Sequence, residues 1–346
     1  PTVISMEDDN DLSFFAEESD YDDYLQSWRT GTFEMGKTIG IPELDPHFLF
    51  KEGNLVVING IDNVGKSSVV WYMAMLSALY HNWNWIIFSS ENRVGGVVRK
   101  LMEFYCCEPI DKMTDEQYKK SKEFVKNHFS IIKISDIMFN YKDILNMATK
   151  AMKHKTYNGL MIDPYNSLRV DIPKNSRQQL YDYNYEAASI IQLFAKNYNI
   201  SIYLNQHVGT GGARNKGKDG FTKAPQKEDS EMGVMWANKA DEFLTIHRVT
   251  QDEKNYMFTE IHVRKVKERE TGGSVTWAYR PVDLIMINNY SGFMSVPHRG
   301  NSKLPGTNAV RAFHTPKQQE MEIYIEPTAP IEQFTPTQLS DDELPF

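Results

Sequence analysis

The run Gly60-Ile61-Asp62-Asn63-Val64-Gly65-Lys66-Ser67-Ser68 sets two glycines, a lysine and a hydroxyl in the pattern G-x-x-x-x-G-K-S. A loop of this kind turns successive backbone N–H groups toward one anion, and a helix beginning behind it adds its positive end. Lys66 has the reach for β- and γ-phosphates, and Ser67 has the hydroxyl for Mg²⁺. Gly60, Asp62, Asn63, Val64, Gly65, Lys66, Ser67 and Ser68 therefore read as a cradle for the phosphates of ATP. An apolar run over residues 55–59 precedes the loop and a helical pattern over 69–80 follows it, which is the context the motif requires.

Further groups with chemistry end other apolar runs. Glu91 follows the run 85–89 and reads as the general base that orients and deprotonates a water. Asp163 closes Gly159-Leu160-Met161-Ile162-Asp163, where a carboxylate can hold the metal together with Ser67. Gln206 and His207 close the run that begins at Ile202 and read as sensors of the terminal phosphate, Gln206 ahead of His207. The segment 209–232 is rich in glycine and carries Arg214, Lys216, Lys218 and Lys223. It reads as a flexible basic loop for a nucleic-acid backbone, with a plain surface loop as the alternative.

Carrying these groups requires short strands at 55–59, 85–89, 131–134, 160–163, 202–205, 242–247, 258–265 and 274–279, with helical patterns alternating among the earlier ones. That alternation predicts an α/β fold with a mostly parallel sheet, helices on both faces and antiparallel strands at one edge. In such sheets ligands sit beyond the carboxyl ends of the strands, where all these residues fall.

The 346 residues carry a net charge of −8, but the charge is divided unevenly. Residues 1–23 hold nine acids and no Lys or Arg, and residues 300–346 hold seven acids against three bases, which leaves the middle at +5. Residues 1–30 read as an acidic arm with Phe14, Phe15, Tyr21, Tyr24, Leu25 and Trp28 available to dock as a helix on a neighbour. Residues 31–298 read as the folded body, and 299–346 as a disordered, proline-rich acidic tail. Its tip, Asp341-Asp342-Glu343-Leu344-Pro345-Phe346, resembles the acidic Pro-Phe tip with which single-stranded-DNA-binding proteins recruit replication enzymes. No run approaches the roughly 20 apolar residues of a membrane span, and the first residues lack a signal-peptide pattern, so a cytoplasmic protein is expected. Two cysteines, Cys106 and Cys107, are too few for a Cys₄ zinc site.

Taken in order, these motifs resemble the RecA-fold motor domain of DnaB-type replicative helicases, and more closely the phage primase-helicases and mitochondrial Twinkle. The likeness covers about residues 31–280. It includes Gly40-Ile41-Pro42-Glu43-Leu44-Asp45 ahead of the first strand and Ser230-Glu231-Met232-Gly233-Val234-Met235-Trp236-Ala237-Asn238-Lys239-Ala240-Asp241 ahead of the strand that leads to Arg248. The resemblance implies a ring, a hexamer, that hydrolyses ATP with Mg²⁺ and translocates on single-stranded DNA in phage-type replication. It also implies that a neighbouring chain supplies a basic finger to each site. Counting back from Thr271-Gly272 sets Lys267 at the finger position, with Arg269 and Arg248 as the other candidates. Lys265 and Lys267 resemble the paired lysines of strand-exchange ATPases, which leaves a recombination protein as one alternative and a non-motor, ATP-switched loader as another. Residues 1–30 are too few for a primase, so the chain reads either as a stand-alone motor or as part of a longer product.

Overall fold

A computed structural model describes residues 15–133, 137–172, 177–277, 280–297 and 306–315. In chain order the elements are α1 (Asp22–Thr30), β1 (Leu55–Gly60), α2 (Lys66–His81), β2 (Trp85–Ser89), α3 (Val94–Cys106), α4 (Asp115–His128), β3 (Phe129–Ile131), α5 (Tyr141–Met152) and β4 (Gly159–Asp163). There follow α6 (Arg177–Asn197), β5 (Ser201–His207), α7 (Thr210–Ala213), α8 (Met235–Lys239), β6 (Glu242–His247), β7 (Phe258–Val266), β8 (Val282–Ile287), β9 (Gly292–Val296) and α9 (Ala309–His314).

Among the described residues the strands form one sheet in the order β3-β2-β4-β5-β1-β6-β7-β8-β9. The six from β3 to β6 run parallel, and β7, β8 and β9 add antiparallel at one edge. Every residue of β1, β2 and β4 is buried. Strands covered on both faces show continuous apolar text rather than alternation, and Leu55-Val56-Val57-Ile58 is such a text.

Side chains alternate across the sheet, so each strand feeds two cores. Val56, Ile58, Ile87, Met161, Tyr203 and Leu244 pack with α2 and α3 on one face. Leu55, Val57, Ile86, Leu160, Ile162 and Leu204 pack with α5, α6 and α8 on the other. Each fully buried aliphatic chain contributes about 1.5–3 kcal/mol. Helix α2 is buried along nearly its whole length, which fits a helix that is apolar all round rather than on one stripe. The outer helices α4 and α5 start with capping boxes, Thr114 with Gln117 and Asn140 with Asp143.

The edge departs from the sequence reading. The expected strand 274–279 is not one: after Gly272 and Gly273, at φ of 100° and 95°, Thr276 bonds Val263 through N to O at 3.0 Å and accepts from Val263 N on Oγ1 at 3.1 Å without extending a strand, and residues 278–279 lie outside the described ones. The edge is made instead by the hairpin β8–β9. Its turn, Asn288-Asn289-Tyr290, takes three positive φ values of 50°, 52° and 67°. Asparagine tolerates the left-handed region better than most residues, which suits Asn288 and Asn289 to this turn. The strand expected at 131–134 forms earlier, at Phe129–Ile131, and Ile134 is outside the described residues.

The body also continues past residue 298. Ala309 and Val310 of α9 are buried, and Tyr80 Oη donates to Ala309 O at 2.9 Å. Residues 1–14 and 316–346, with Phe14 and the acidic tip, lie outside the described residues. Helix α1 buries no residue in its own chain; Trp28 stacks on Phe33 with centroids 4.3 Å apart.

Candidate nucleotide site and basic loop

The phosphate loop leaves the carboxyl end of β1 at the centre of the sheet. Gly60 cannot be replaced without collision, because a Cβ there would stand 2.3 Å from Ile246 O on β6. Gly65, at φ 94°, and Asn63, at 61°, supply the left-handed turns that aim the loop's N–H groups before α2 begins. Lys66 is 9% exposed and donates to Gly60 O at 2.7 Å and Ile61 O at 2.8 Å. Burial pushes its ammonium down from the usual lysine range, against the pull of Asp62, Asp163 and Glu91. Its charge is thus held at the loop by carbonyl dipoles that compensate it only in part.

Ser67 is the second residue of α2. Its Oγ donates to Asp163 Oδ1 at 3.0 Å, and Asn205 Nδ2 donates to the same oxygen at 2.7 Å. Asp163 Oδ2 is buried without a partner among the described residues. Burial raises this carboxyl above the usual range while the Asn205 and Ser67 bonds oppose the rise. A buried carboxylate with one oxygen unspent, facing a hydroxyl, fits a small hard cation completed by phosphate oxygens. No group of three or more His, Cys, Asp or Glu is placed for a metal among the described residues, so any cation here depends on Ser67, Asp163 and the phosphates themselves.

Two acids and an imidazole close the site from above. His207, at the end of β5, has Nδ1 3.0 Å from Asp62 Oδ1, off the axis of a hydrogen bond, and Nε2 3.5 Å from Glu91 Oε1. Glu91 is more than half exposed. It therefore hangs over the pocket mouth, next to the phosphate loop although β2 lies three strands from β1. Gln206, read first as the sensor, points the other way: alternation along β5 puts Tyr203, Asn205 and His207 on the phosphate-loop face, and Gln206 with Leu204 on the opposite one. It is wholly buried there, and neither amide atom has a partner among the described residues.

The segment 209–232 is more ordered than its glycines imply. It opens with the short helix α7, and Lys216 bridges Thr222 in a small hairpin. Its return leg is tied to three strands. Asn59, the residue before Gly60, donates to Gln226 O at 2.9 Å; Arg264 of β7 donates to Pro225 O at 3.0 Å; Glu231 N donates to His207 O at 3.0 Å. Asn166, just after β4, joins both sides: its Oδ1 accepts from His207 N at 3.0 Å and its Nδ2 donates to Glu231 Oε2 at 2.7 Å. Asn59 and Asn166 were not legible as site residues, since isolated asparagines carry no signature. Arg214, Lys216, Lys218 and Lys223 are all exposed, and none has an ion-pair partner among the described residues.

The three finger candidates separate clearly. Arg248 follows β6 on the same sheet edge as the chain's own phosphate loop, and its Nε donates to Tyr256 O. Lys267 sits at the opposite edge, where its Nζ is 3.2 Å from buried Asp241, which holds its ammonium above the usual range. Asp241 Oδ2 accepts from Leu55 N at the start of β1, so Lys267 is a full strand, roughly 17–20 Å, from its own Gly60. Arg269 is nearby, exposed, and without a side-chain partner among the described residues.

A parallel-centred sheet with a phosphate loop after its central strand, an acidic strand end beside it and an antiparallel edge is the RecA-like fold. No protein-family model matches the chain. In sequence it is 28% identical, over 257 residues, to the chloroplastic and mitochondrial Twinkle homologue of Arabidopsis thaliana, a match covering 70% of this chain and 35% of that protein. The chain thus spans about a third of the length of that relative. In structure it is similar to the ATPase domain of G40P, with a TM-score of 0.64, 14% identity and coverage of 81% of this chain and 98% of that one. It is also similar to a DnaB-like replicative helicase studied with its interactions with primase, with a TM-score of 0.62, 14% identity and coverage of 81% and 66%. The resemblance to the RecA-fold motor domain of DnaB- and Twinkle-type helicases holds both in sequence and in fold.

Proposed function

We propose that the chain is the ATP-driven motor of a replicative DNA helicase, working as a ring, a hexamer, on single-stranded DNA in the cytoplasm during phage-type replication. The observation that carries this reading is the convergence of Lys66, Ser67, Asp163, Glu91 and His207 around one phosphate loop whose sensor strand runs straight into a basic loop. The names of the similar proteins point the same way.

In this reading the loop N–H groups and Lys66 bind the β- and γ-phosphates, and Ser67 with Asp163 holds Mg²⁺. The ion, when bound, neutralises charge on the phosphate oxygens. Glu91 accepts a proton from the attacking water. His207, on the correct face, takes the sensor role first given to Gln206, and its backbone passes the change to Glu231 and the basic loop. Arg214, Lys216, Lys218 and Lys223 contact the strand's phosphates.

A cation at the far edge supports a shared site: Arg269, without a side-chain partner among the described residues, cannot reach its own phosphate loop, so it is suited to a neighbour's. That argument favours Arg269 over Lys267, which Asp241 already engages. The strand-exchange alternative loses its support by the same count, because Lys265 is spent on Ala237 O and Asn238 O, each at 2.9 Å. Exposed α1 serves as the arm that docks on a neighbour, and the tip Asp341 to Phe346 recruits replication proteins.

The test is ATPase with and without single-stranded DNA, followed by unwinding of a forked duplex. Wild type shows DNA-stimulated hydrolysis and unwinding, and Lys66→Ala shows neither. A DNA-indifferent ATPase would return the chain to the class of non-motor switches.

A further inference from the structure

Away from the nucleotide site, strands β6 to β8 and the hairpin at 216–222 enclose a groove of about 1040 Å³. Sites for small organic ligands occupy about 300–1,000 Å³, so the groove has room for one or two nucleotide units. Its lining mixes both signs. Glu260, His262 and Asp283 are buried at depth, with His262 Nε2 2.8 Å from Glu260 Oε2, whereas Lys218, Lys223 and Arg280 stand exposed on the rim together with Asp219.

Flat apolar faces complete it. Half-buried Phe221 lines the hairpin wall. Trp277, 78% exposed, adjoins the opposite rim, where Arg280 N donates to Trp277 O at 3.0 Å. Tryptophan is highly buried on average, so one this open is not explained by packing among the described residues. The hairpin wall is built rather than draped, since Gln251 Oε1 accepts from both Thr222 N and Thr222 Oγ1 at 3.3 Å.

Rim cations attract phosphate, and open aromatic faces stack planar rings. Cations that follow a backbone beside rings that stack its bases are how single strands are held without sequence preference. We propose that this groove takes unpaired nucleobases, stacked on Trp277 and Phe221, with their phosphates outside on Lys218, Lys223 and Arg280. The proposal rests on the single-strand reading above and adds to it the place where the bases, rather than the backbone, are held.

The experiment is equilibrium binding of the full chain, with a non-hydrolysable ATP analogue, to a fluorescent deoxyoligonucleotide and to an abasic strand of the same length. Stacking contributes about 1–3 kcal/mol per base, so the intact strand should bind about tenfold tighter or more. Trp277→Ala should remove most of that difference, and Trp277→Phe should restore part of it. The slope of log affinity against log salt should not change in either variant, because stacking releases no counterions. ATPase without DNA should also be unaffected. Adenosine added in excess separates two sources of the base: no competition identifies the strand, and competition identifies a soluble nucleoside in the same groove. Equal binding of intact and abasic strands overturns the groove assignment and leaves the motor reading standing. No binding of any strand by wild type overturns both.

Discussion

His207 Nε2 lies 3.5 Å from Glu91 Oε1, so one imidazole at the end of β5 stands over the carboxylate read as the catalytic base. Its other nitrogen is 3.0 Å from Asp62 of the phosphate loop. The backbone of the same residue is bonded to Asn166 and Glu231. Any shift of this ring on nucleotide binding is therefore felt by the base and by the root of the basic loop together.

Glu91→Gln keeps the shape of the side chain and loses the proton acceptor. Turnover should fall on the order of a hundredfold or more while nucleotide affinity is kept. Binding of a fluorescent ATP analogue beside a phosphate-release assay checks this; loss of binding would make Glu91 structural.

His207→Ala should separate two effects. ATP should still bind, but hydrolysis should no longer respond to single-stranded DNA, since the link from pocket to loop is cut. A variant with unaltered fold stimulation by DNA would remove His207 from the coupling.

Arg269→Ala should abolish ATPase and should also poison wild-type rings when mixed, because each shared site needs one residue from either side. Lys267→Ala should poison less, its charge being committed to Asp241. Activity that declines in strict proportion to the mutant fraction, at constant assembly, would indicate self-contained sites.

Neutralising Arg214, Lys216 and Lys218 together should weaken strand binding and flatten its salt dependence by up to roughly three counterions. An unchanged slope in a salt titration would leave these side chains as plain surface.

Glu242 is 1% exposed beside Lys51, at 3.0 Å, and burial raises its carboxyl to about 7 against the opposing pull of that ammonium. A carboxyl raised on folding favours the protonated native state. Its stabilising effect is therefore full below the unfolded value of 4.5 and is lost as pH rises through about 7. Thermal melts between those limits should show wild type losing stability relative to Glu242→Gln as pH increases; parallel curves would contradict the shift.

The sequence made the centre of the fold readable because β1, β2, β4 and β5 carry continuous apolar text and each ends in a group with chemistry. The phosphate loop was readable for the same reason. The edge was not, because Ser274 to Trp277 has strand-like residues but follows two glycines in left-handed conformations, and their conformational freedom overrides local propensity. The order of Gln206 and His207 depended on a period of two that only the register of β5 against β1 and β4 fixes. Asn59 and Asn166 acquire meaning only when a loop more than sixty residues away in sequence folds back over them.

The bond from Asn59 to Gln226 has a mechanical meaning as well. Asn59 lies in the central strand, flanked by β5 and β6, and cannot swing. In the proposed motor, tension applied to the basic loop by a strand under load would run into the stiffest part of the sheet, one residue from Gly60, instead of being absorbed by a hinge. A pull on the loop would then arrive at the phosphates almost undamped, and resistance met along the track would be registered where the fuel is broken.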